Sequence, residues 1–307
     1  MILGRSAAIR KALDVADLYS RTRLPILIIG ETGTGKEEFA RHVHQLSGRS
    51  GAFVDVNCAA LPREMTESLF FGHKRGAFTG AVESTVGYCA LSDRGTLLLD
   101  ELASLPLELQ GKLLRVLESG EVPTLGASTK RVADIRWVAA AQSDLSASMA
   151  ASTFRIDLYQ RLAGAVIELP PLQQRMEDVV PLAEHFATLE GRTLEPDVRS
   201  VLLEYGWPGN VRELRFAIER AGYLVTNGTL SADAVTEAIA LGGPQSTRTP
   251  APVNLSRRGL LAVCQRNNFD AKRIALELGC RKSALYVRLK SAGISLRAFR
   301  FSSGIPR

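Results

Sequence analysis

The chain has 307 residues, which suits about two domains, each long enough to bury a core. It is 46% apolar and 23% charged, as in ordinary globular proteins, and it lacks the run of about 18 apolar residues that a membrane helix needs. It has no signal-peptide pattern, and its four cysteines lack the spacing of a zinc or dithiol site. We therefore expect a cytoplasmic protein with reduced thiols and no membrane contact.

The net charge of +6 is unevenly distributed along the chain. Residues 251–307 hold 12 Lys/Arg and 2 Asp/Glu, a balance of +10, whereas residues 1–250 hold 26 and 30, a balance of −4. A basic end on a mildly acidic body predicts that double-stranded DNA is bound at the C-terminal end. A basic face that is merely solvated is the alternative.

A glycine-rich loop lies between a strand and a helix near the N-terminus. Apolar spacing predicts a helix within residues 4–22, a buried strand over 24–29 and a helix from Glu38 to Gln45. Strand, loop and helix in this order form a phosphate-binding loop, since glycines let backbone N–H groups converge on phosphate oxygens. The predicted ATP-binding residues are Gly30, Glu31, Thr32, Gly33, Thr34, Gly35, Lys36 and Glu37.

Two positions in this loop carry particular consequences. Lys36 is placed to reach the β- and γ-phosphates. Glu37 stands where a hydroxyl side chain usually follows the lysine, so one standard Mg²⁺ ligand is absent there. A tight turn that binds no ligand is the alternative.

Polar residues end two further predicted strands. The strand 53–57 ends in the amide of Asn57, and the strand 95–101 ends in Asp100 and Glu101. Asp100 is placed to hold Mg²⁺, directly or through water, and Glu101 to polarise the attacking water.

Helical patterns at 64–71, 107–118 and 154–162 and a strand at 135–141 complete an alternating α/β order. Such alternation predicts a mostly parallel sheet.

Residues 76–81 read Gly-Ala-Phe-Thr-Gly-Ala, a run too small and flexible to form a core strand. A surface turn with Phe78 buried is the simplest interpretation.

Taken together, these motifs resemble the AAA+ ATPase domain of sigma-54-dependent transcriptional activators, the bacterial enhancer-binding proteins. The resemblance covers about residues 2–240 and includes the loop 30–37, the run 69–81, Leu99-Asp-Glu101, 154–162, 169–172 and 207–214. It implies a P-loop ATPase core over 1–170 with a parallel sheet, and a helical lid over 171–240. Members of this family normally carry a glutamate at the position of Glu37.

The resemblance also implies roles for individual residues. Asn57 is similar to the residue that holds the catalytic glutamate inactive until γ-phosphate is sensed, and Arg212 to the lid arginine that touches its own subunit's nucleotide. Arg155 and Arg161 resemble arginine fingers that reach a neighbouring subunit, which implies a ring, expected to be a hexamer. The sigma-factor contact is expected at Gly76, Ala77, Phe78, Thr79, Gly80 and Ala81.

The chain departs from the family pattern at several positions. Ala141 and Gln142 replace the usual threonine and asparagine at the strand end that senses γ-phosphate; we expect altered coupling with hydrolysis retained. Arg94 replaces a glycine, Gln173 replaces an arginine, and the lid is short between residues 185 and 207.

Beyond the lid, residues 241–254 contain three prolines and two glycines, which predicts a linker. Residues 255–307 predict a small all-α domain that resembles the Fis-type helix-turn-helix, with helices over 255–266, 270–278 and 282–291. A helical bundle with a solvated basic face is the alternative. The predicted DNA-binding residues are Arg281, Lys282, Ser283, Tyr286, Arg288 and Lys290.

The expected function is a transcription activator that binds upstream DNA and uses ATP, with Mg²⁺, to remodel sigma-54 RNA polymerase holoenzyme. Since the chain begins almost at the first helix of the ATPase domain, we expect control by a separate regulatory protein or by expression level. The alternative is a DNA-binding regulator of the same fold without productive ATPase, acting as a repressor or in a mixed ring with a related activator.

Overall fold

The structure, a computed structural model, describes residues 2–142 and 145–242 together with three single positions, Cys264, Arg266 and Ile274. Residues Met1–Ala238 form one compact unit and Ile239–Arg307 a second. The three single positions are helical, and Cys264 and Ile274 are buried. The predicted DNA-binding residues, from Arg281 to Lys290, lie outside the described residues, so the helix-turn-helix domain stays a prediction.

A five-stranded parallel sheet forms the centre of the first unit, in the order β2-β3-β6-β1-β7. Its central strands are continuous apolar runs because helices cover both faces. The predicted α/β fold with a parallel sheet is confirmed. The strands are β1 (Ile26–Ile29), β2 (Phe53–Asn57), β3 (Thr96–Asp100), β6 (Arg136–Ala141) and β7 (Ala165–Glu168), with short strands β4 (Glu121–Val122), β5 (Arg131–Val132), β8 (Thr193–Leu194) and β9 (Thr229–Leu230).

Eleven helices lie in the described ranges 2–142 and 145–242, on both faces of the sheet and in the lid. They are α1 (Ala7–Ser20), α2 (Lys36–Ser47), α3 (Thr66–Phe71), α4 (Tyr88–Leu91), α5 (Leu107–Ser119), α6 (Leu145–Ala150), α7 (Ile156–Leu162), α8 (Val179–Leu189), α9 (Val198–Glu204), α10 (Asn210–Leu224) and α11 (Ala232–Gly242).

Alternate residues of each strand supply the two cores, because successive side chains point to opposite faces. Ile26, Ile28 and Leu98 join α1 and α2 in one cluster. Leu27 and Leu97 join α3, α5 and α7 in the other.

The structure also corrects and extends the sequence predictions. Helix α11 continues through Gly242, so the predicted linker is wrong at its first two residues. Helix α7 begins at Ile156, so Arg155 is its N-cap residue and not part of the helix. Strand β7 and the pairs β4–β5 and β8–β9 were not predicted. None of the helices in the described part of the chain is both long and apolar enough to cross a membrane.

Candidate functional site

The glycine-rich loop connects β1 to α2 at the edge of the sheet where the parallel strands end. Gly35 adopts the left-handed conformation, with φ of 102°, and α2 begins at the next residue, Lys36. Gly33 is also left-handed, and a Cβ there would lie 2.4 Å from the carbonyl oxygen of Gly209. Glycine is therefore required at this position both by the backbone and by the lid.

Lys36 is largely buried, and its ammonium group is held by backbone oxygens. Its Nζ donates hydrogen bonds to the carbonyls of Gly30, at 2.9 Å, and Glu31, at 3.2 Å. Burial lowers the pKa of Lys36, while the nearby charges of Asp100 and Glu101 act in the opposite direction. The ammonium group thus lies among carbonyl oxygens and near two carboxylates.

Two features of this edge of the sheet make it suitable for binding ATP and Mg²⁺. Open space lies above Gly35, where an added Cβ would meet no atom within 4 Å. Asp100 ends β3 and Glu101 follows it, and carboxylate oxygens are the ligands that Mg²⁺ prefers. Buried positive charge beside open space and hard oxygen ligands suits a nucleotide phosphate chain with its metal.

Glu101 has an unusual backbone conformation, with φ of 52° and ψ of 48°. Its N–H donates to the Asp100 carboxylate at 2.9 Å, which ties the two carboxylate-bearing residues together. Non-glycine residues in the left-handed region cost free energy and cluster at functional sites. The turn directs the chain away from the sheet immediately after the paired carboxylates.

Gln142 links this turn to the phosphate loop. Its amide Nε2 lies 3.1 Å from the Thr32 hydroxyl and 3.4 Å from Oε2 of Glu101. One side chain therefore contacts both the loop and the glutamate. Gln142 thus lies at the phosphate loop, and its expected part in nucleotide binding stays a prediction.

Asn57 has a different environment from the one that its expected role requires. In the parallel register of β2 and β3 it lies beside Asp100, at the same edge of the sheet. Its side-chain oxygen accepts a hydrogen bond from the N–H of Ala59 at 2.9 Å and caps a short 3₁₀ turn. Within the described residues, the side chain that forms a hydrogen bond with the Glu101 carboxylate is Gln142, so the role of Asn57 stays a prediction.

The lid contacts the phosphate loop directly. The N–H of Arg212 donates to Gly33 at 3.2 Å, and the Arg212 side chain is exposed. The amide of buried Asn210 donates to the Thr32 carbonyl and to the Glu31 carboxylate, both at 3.1 Å. Asn210 was assigned no role from the sequence, although it lies in the motif at 207–214.

Arg175 is a second lid residue that the sequence did not single out. It is only 3% exposed, and its Nη2 donates to the carbonyl of Thr34 in the phosphate loop at 2.9 Å. Burial lowers the pKa of Arg175, and the charge of Asp178 opposes this shift. Its neighbours in the sequence are residues typical of a surface, so no local pattern distinguishes this buried arginine from an exposed one.

The two predicted arginine fingers lie elsewhere. Arg155 and Arg161 are exposed at opposite ends of α7, and Arg155 forms an ion pair with Asp157 at 2.7 Å. Among the described hydrogen bonds, neither arginine donates to the phosphate loop of its own chain. The structure thus gathers Lys36 and the paired carboxylates at one site and leaves the fingers outside it.

The segment 76–81 is a tight exposed loop. The N–H of Gly76 donates to the carbonyl of Ala81 at 2.9 Å, which closes the loop at its base. Thr79 is exposed and Phe78 is 44% exposed, so the interpretation of Phe78 as a buried anchor is wrong. The ring of Phe78 contacts the ring of His73, with centroids 5.0 Å apart.

The Sigma-54 interaction domain family matches residues 2–168, more than half of the chain. The chain belongs to this family. The AAA+ ATPase lid domain matches residues 173–252 of this sigma-54 interaction protein. The predicted P-loop ATPase fold with a helical lid is confirmed.

Two relatives illustrate how much of a longer protein the chain covers. It is 39% identical to the "Formate hydrogenlyase transcriptional activator" of Salmonella typhimurium, over 95% of this chain and 44% of the relative. It is 38% identical to the "Alginate biosynthesis transcriptional regulatory protein AlgB" of Pseudomonas aeruginosa, over 95% of this chain and 67% of the relative. The chain thus spans less than half of the first relative and two thirds of the second.

Solved structures agree with the family assignment. NtrX from Brucella abortus, in complex with ATP, is 31% identical with a TM-score of 0.69, covering 95% of this chain and 69% of that one. A RuvB mutant from Thermotoga maritima is 14% identical with a TM-score of 0.57, covering 99% of this chain and 96% of that one. The second likeness shows the fold alone.

Proposed function

We propose that the chain hydrolyses ATP in order to remodel sigma-54 RNA polymerase holoenzyme, as a transcription activator that opens promoters. One observation carries the proposal: Lys36, Asp100, Glu101 and Gln142 meet at one edge of the sheet. The names of the relatives, which are transcription regulators, supply the biological setting.

Each residue at this edge has a separate role in phosphoryl transfer. The buried Lys36 binds phosphate oxygens, and the backbone N–H groups of the loop orient them. Asp100 would hold Mg²⁺, which would neutralise charge on the phosphates when bound. Glu101 accepts a hydrogen bond from the attacking water and orients it.

The lid completes the site. Its contacts through Arg212 and Asn210 to the loop residues 31–33 mean that lid position and loop conformation are coupled. The exposed Arg212 side chain is free to reach a nucleotide held by its own subunit. Lid movement on nucleotide exchange is therefore transmitted through these contacts.

We propose a ring oligomer, expected from the family resemblance to be a hexamer, and the exposure of Arg155 and Arg161 supports it. A finger supplied across an interface stabilises the charge of the transition state in the neighbouring site. For this role Arg155 must exchange its ion pair with Asp157 for phosphate oxygens. Both groups are nearly half exposed, so the exchange costs little.

The loop 76–81 is the proposed sigma-factor contact. Phe78 and Thr79 are exposed, and no core packing holds the loop tip in the described structure. A contact that changes with the nucleotide state must lie on a segment that can move without disrupting the core.

Binding of upstream double-stranded DNA is proposed from charge and from the helix-turn-helix resemblance of residues 255–307. Basic residues there neutralise phosphates, and the start of the last helix reads bases. We propose action in the cytoplasm, where DNA and polymerase meet. A regulator without hydrolysis is less favoured, since the Gln142 amide reaches Glu101 despite the departure from asparagine.

The test is in vitro transcription with purified protein, sigma-54 holoenzyme, ATP and Mg²⁺ on a supercoiled promoter. We expect ATP-dependent transcript from the unchanged protein and none from Glu101→Ala, which should still bind ATP. Full turnover by Glu101→Ala would remove the assignment of Glu101. Absence of transcript while ATP is hydrolysed, even with a related activator added, would refute promoter opening.

A further inference from the structure

A second polar cleft lies at the edge of the sheet opposite the phosphate loop. It has a volume of about 330 Å³ and is formed by segments that precede β1, β2, β3 and β6. Because these strands are parallel, their amino ends meet at the edge away from the nucleotide site. The lining residues are Ser20, Arg21, Thr22, Arg23, Ser47, Gly48, Arg49, Ser50, Arg94 and Asp134.

The lining carries four guanidinium groups against one carboxylate. Arg49 uses that carboxylate, since its Nη2 lies 3.0 Å from Oδ1 of Asp134 and its Nη1 donates to the Asp134 carbonyl at 2.9 Å. In the part of the chain that the structure describes, the side chains of Arg21, Arg23 and Arg94 form no hydrogen bond or ion pair. Arg21 and Arg23 therefore have no described ion-pair partner, and Arg94 has only the nearby charge of Asp93, with no direct contact.

A fifth guanidinium group lies beneath the cleft. Arg136 is 1% exposed and donates to the backbone carbonyls of Tyr19, at 2.7 Å, Thr22, at 2.6 Å, and Leu24. Burial lowers the pKa of Arg136 to about 10, and the charge of Arg49 acts in the same direction. Within the described residues its ligands are neutral carbonyls, so its charge is solvated but not neutralised.

Arg136 also offsets the negative partial charge of two helix C-termini, which disfavours anions in the cleft. Helices α1 and α2 both end here, and helix C-termini carry partial negative charge. The hydrogen bonds from Arg136 to the carbonyls of Tyr19 and Thr22 satisfy groups at the end of α1. The full charges of the arginines outweigh the remaining partial charges.

The backbone of Arg94 is a separate indication that its side chain is needed. Its φ is 57°, in the left-handed region, where a residue with a Cβ is strained and glycine is not. Two hydrogen bonds fix this conformation: the Arg94 N–H donates to Asp134 and the Gly51 N–H donates to the Arg94 carbonyl, both at 2.9 Å. A strained position that carries a guanidinium group in a cationic cleft indicates a use for that group.

We propose that this cleft binds a small phosphate-bearing anion, of the pyrophosphate or nucleoside diphosphate class, at the same time as a nucleotide occupies the phosphate loop. Guanidinium groups bind phosphate oxygens through paired hydrogen bonds, and the Ser50 hydroxyl in the lining supplies a further donor. The volume is at the lower end of the range typical of small-ligand sites, roughly 300–1,000 Å³.

The test uses the full chain with its phosphate loop saturated by the non-hydrolysable β,γ-imido analogue of ATP and Mg²⁺, titrated with pyrophosphate in a calorimeter. We expect one further pyrophosphate site per chain. Arg94→Asn should weaken this site roughly tenfold, as expected for the loss of a charged hydrogen bond. Asparagine tolerates the left-handed backbone, so the variant should fold.

The matched control is Arg199→Asn, which removes an exposed arginine on α9 and should leave the second site unchanged. Equal affinity in Arg94→Asn and the unchanged protein would overturn the proposal, as would equal weakening by both variants. Binding of a short DNA duplex at this cleft without any binding of pyrophosphate would also overturn it. Tighter binding of a nucleoside diphosphate than of pyrophosphate would support a nucleotide ligand, and equal binding would support recognition of phosphate alone.

Discussion

The side-chain amide of Gln142 lies 3.4 Å from the carboxylate of Glu101, while the same nitrogen lies 3.1 Å from the hydroxyl of Thr32. The amide thus connects the end of β6 to Glu101, the proposed general base, and to the phosphate loop. Asn57, which the family resemblance suggests for holding the glutamate, instead accepts a hydrogen bond from Ala59. We therefore expect Gln142 to restrain Glu101 and to respond to the phosphates of a bound nucleotide.

Shortening or removing this amide should lower the rate of ATP hydrolysis. Gln142→Ala should reduce kcat roughly ten- to a hundredfold, because a general base that is misplaced by about 1 Å loses rate on this scale. The KM for ATP should change much less, since Lys36 and the loop amides are untouched. Steady-state hydrolysis measures both quantities.

The controls for this prediction lie close by in the chain. Gln142→Asn keeps the amide but shortens it by one methylene, so an intermediate kcat is expected. Gln173→Ala removes an exposed glutamine and should leave kcat unchanged. An unchanged kcat in Gln142→Ala would show that the contact with Glu101 has no part in turnover.

The parts of the site that the sequence predicts are those built from neighbouring residues. The loop 30–37 and the pair Asp100–Glu101 are local patterns, because strand, turn and helix follow each other directly along the chain. The contact of Arg175 with Thr34 joins residues 141 positions apart, and that of Asn210 with Thr32 joins residues 178 apart. No local pattern specifies such pairs, because the folding of the lid onto the loop creates them.

Strand β7 is a part of the fold that local sequence patterns likewise do not predict. Its four residues, Ala165–Glu168, form too short a run for periodicity to identify. Their extended conformation comes from pairing with β1, which is distant in sequence. The exposure of Phe78 is also a tertiary property, since a lone aromatic residue between glycines fits either a buried or an exposed turn.

Substitution at the loop tip should separate hydrolysis from transcription. Thr79→Ala removes an exposed hydroxyl that makes no described hydrogen bond, so ATP turnover should be unchanged. Transcript from a sigma-54 promoter should be lost if this side chain contacts the sigma factor. Parallel assays of phosphate release and transcript yield test this, with Val82→Ala, also exposed, as the control that retains transcription. Persistent transcript from Thr79→Ala would exclude the loop tip as the contact.

Loss of the buried Arg175 side chain should destabilise the first unit and weaken ATP binding. Arg175→Met keeps most of the apolar volume but leaves the Thr34 carbonyl without its partner, which should lower the free energy of unfolding by about 2 kcal/mol. Urea unfolding measures this effect, and ATP titration measures the loosening of the loop. Arg199→Met, on the exposed surface of α9, is the control and should leave both quantities unchanged. Equal stability of the two variants would mean that the contact contributes nothing.

The carboxylate of Asp55 should make the folded state less stable as the pH rises. An acid held in a strong ion pair has the opposite effect. Partial burial, with the negative charges of Glu37 and Asp100, raises the pKa of Asp55 to about 6 from its ordinary value of 3.8, although Arg41 opposes this shift from 3.7 Å. The folded state therefore holds this proton more tightly than the unfolded state does. The contribution of Asp55 to stability is full below pH 3.8 and is lost as the pH rises towards 6.

Asp55→Asn should remove this dependence, because the amide resembles the protonated acid in shape and carries no charge. We expect the variant to melt at a higher temperature than the unchanged protein at about pH 7.5, with a much smaller difference at about pH 4. Thermal unfolding without nucleotide measures both, and Asp14→Asn, an exposed carboxylate on α1, is the matched control. A raised pKa would be contradicted if the difference in melting temperature were equal at the two pH values, or if the variant were less stable at pH 7.5. The reason is that removing the charge stabilises the protein only where folding makes the carboxylate harder to ionise.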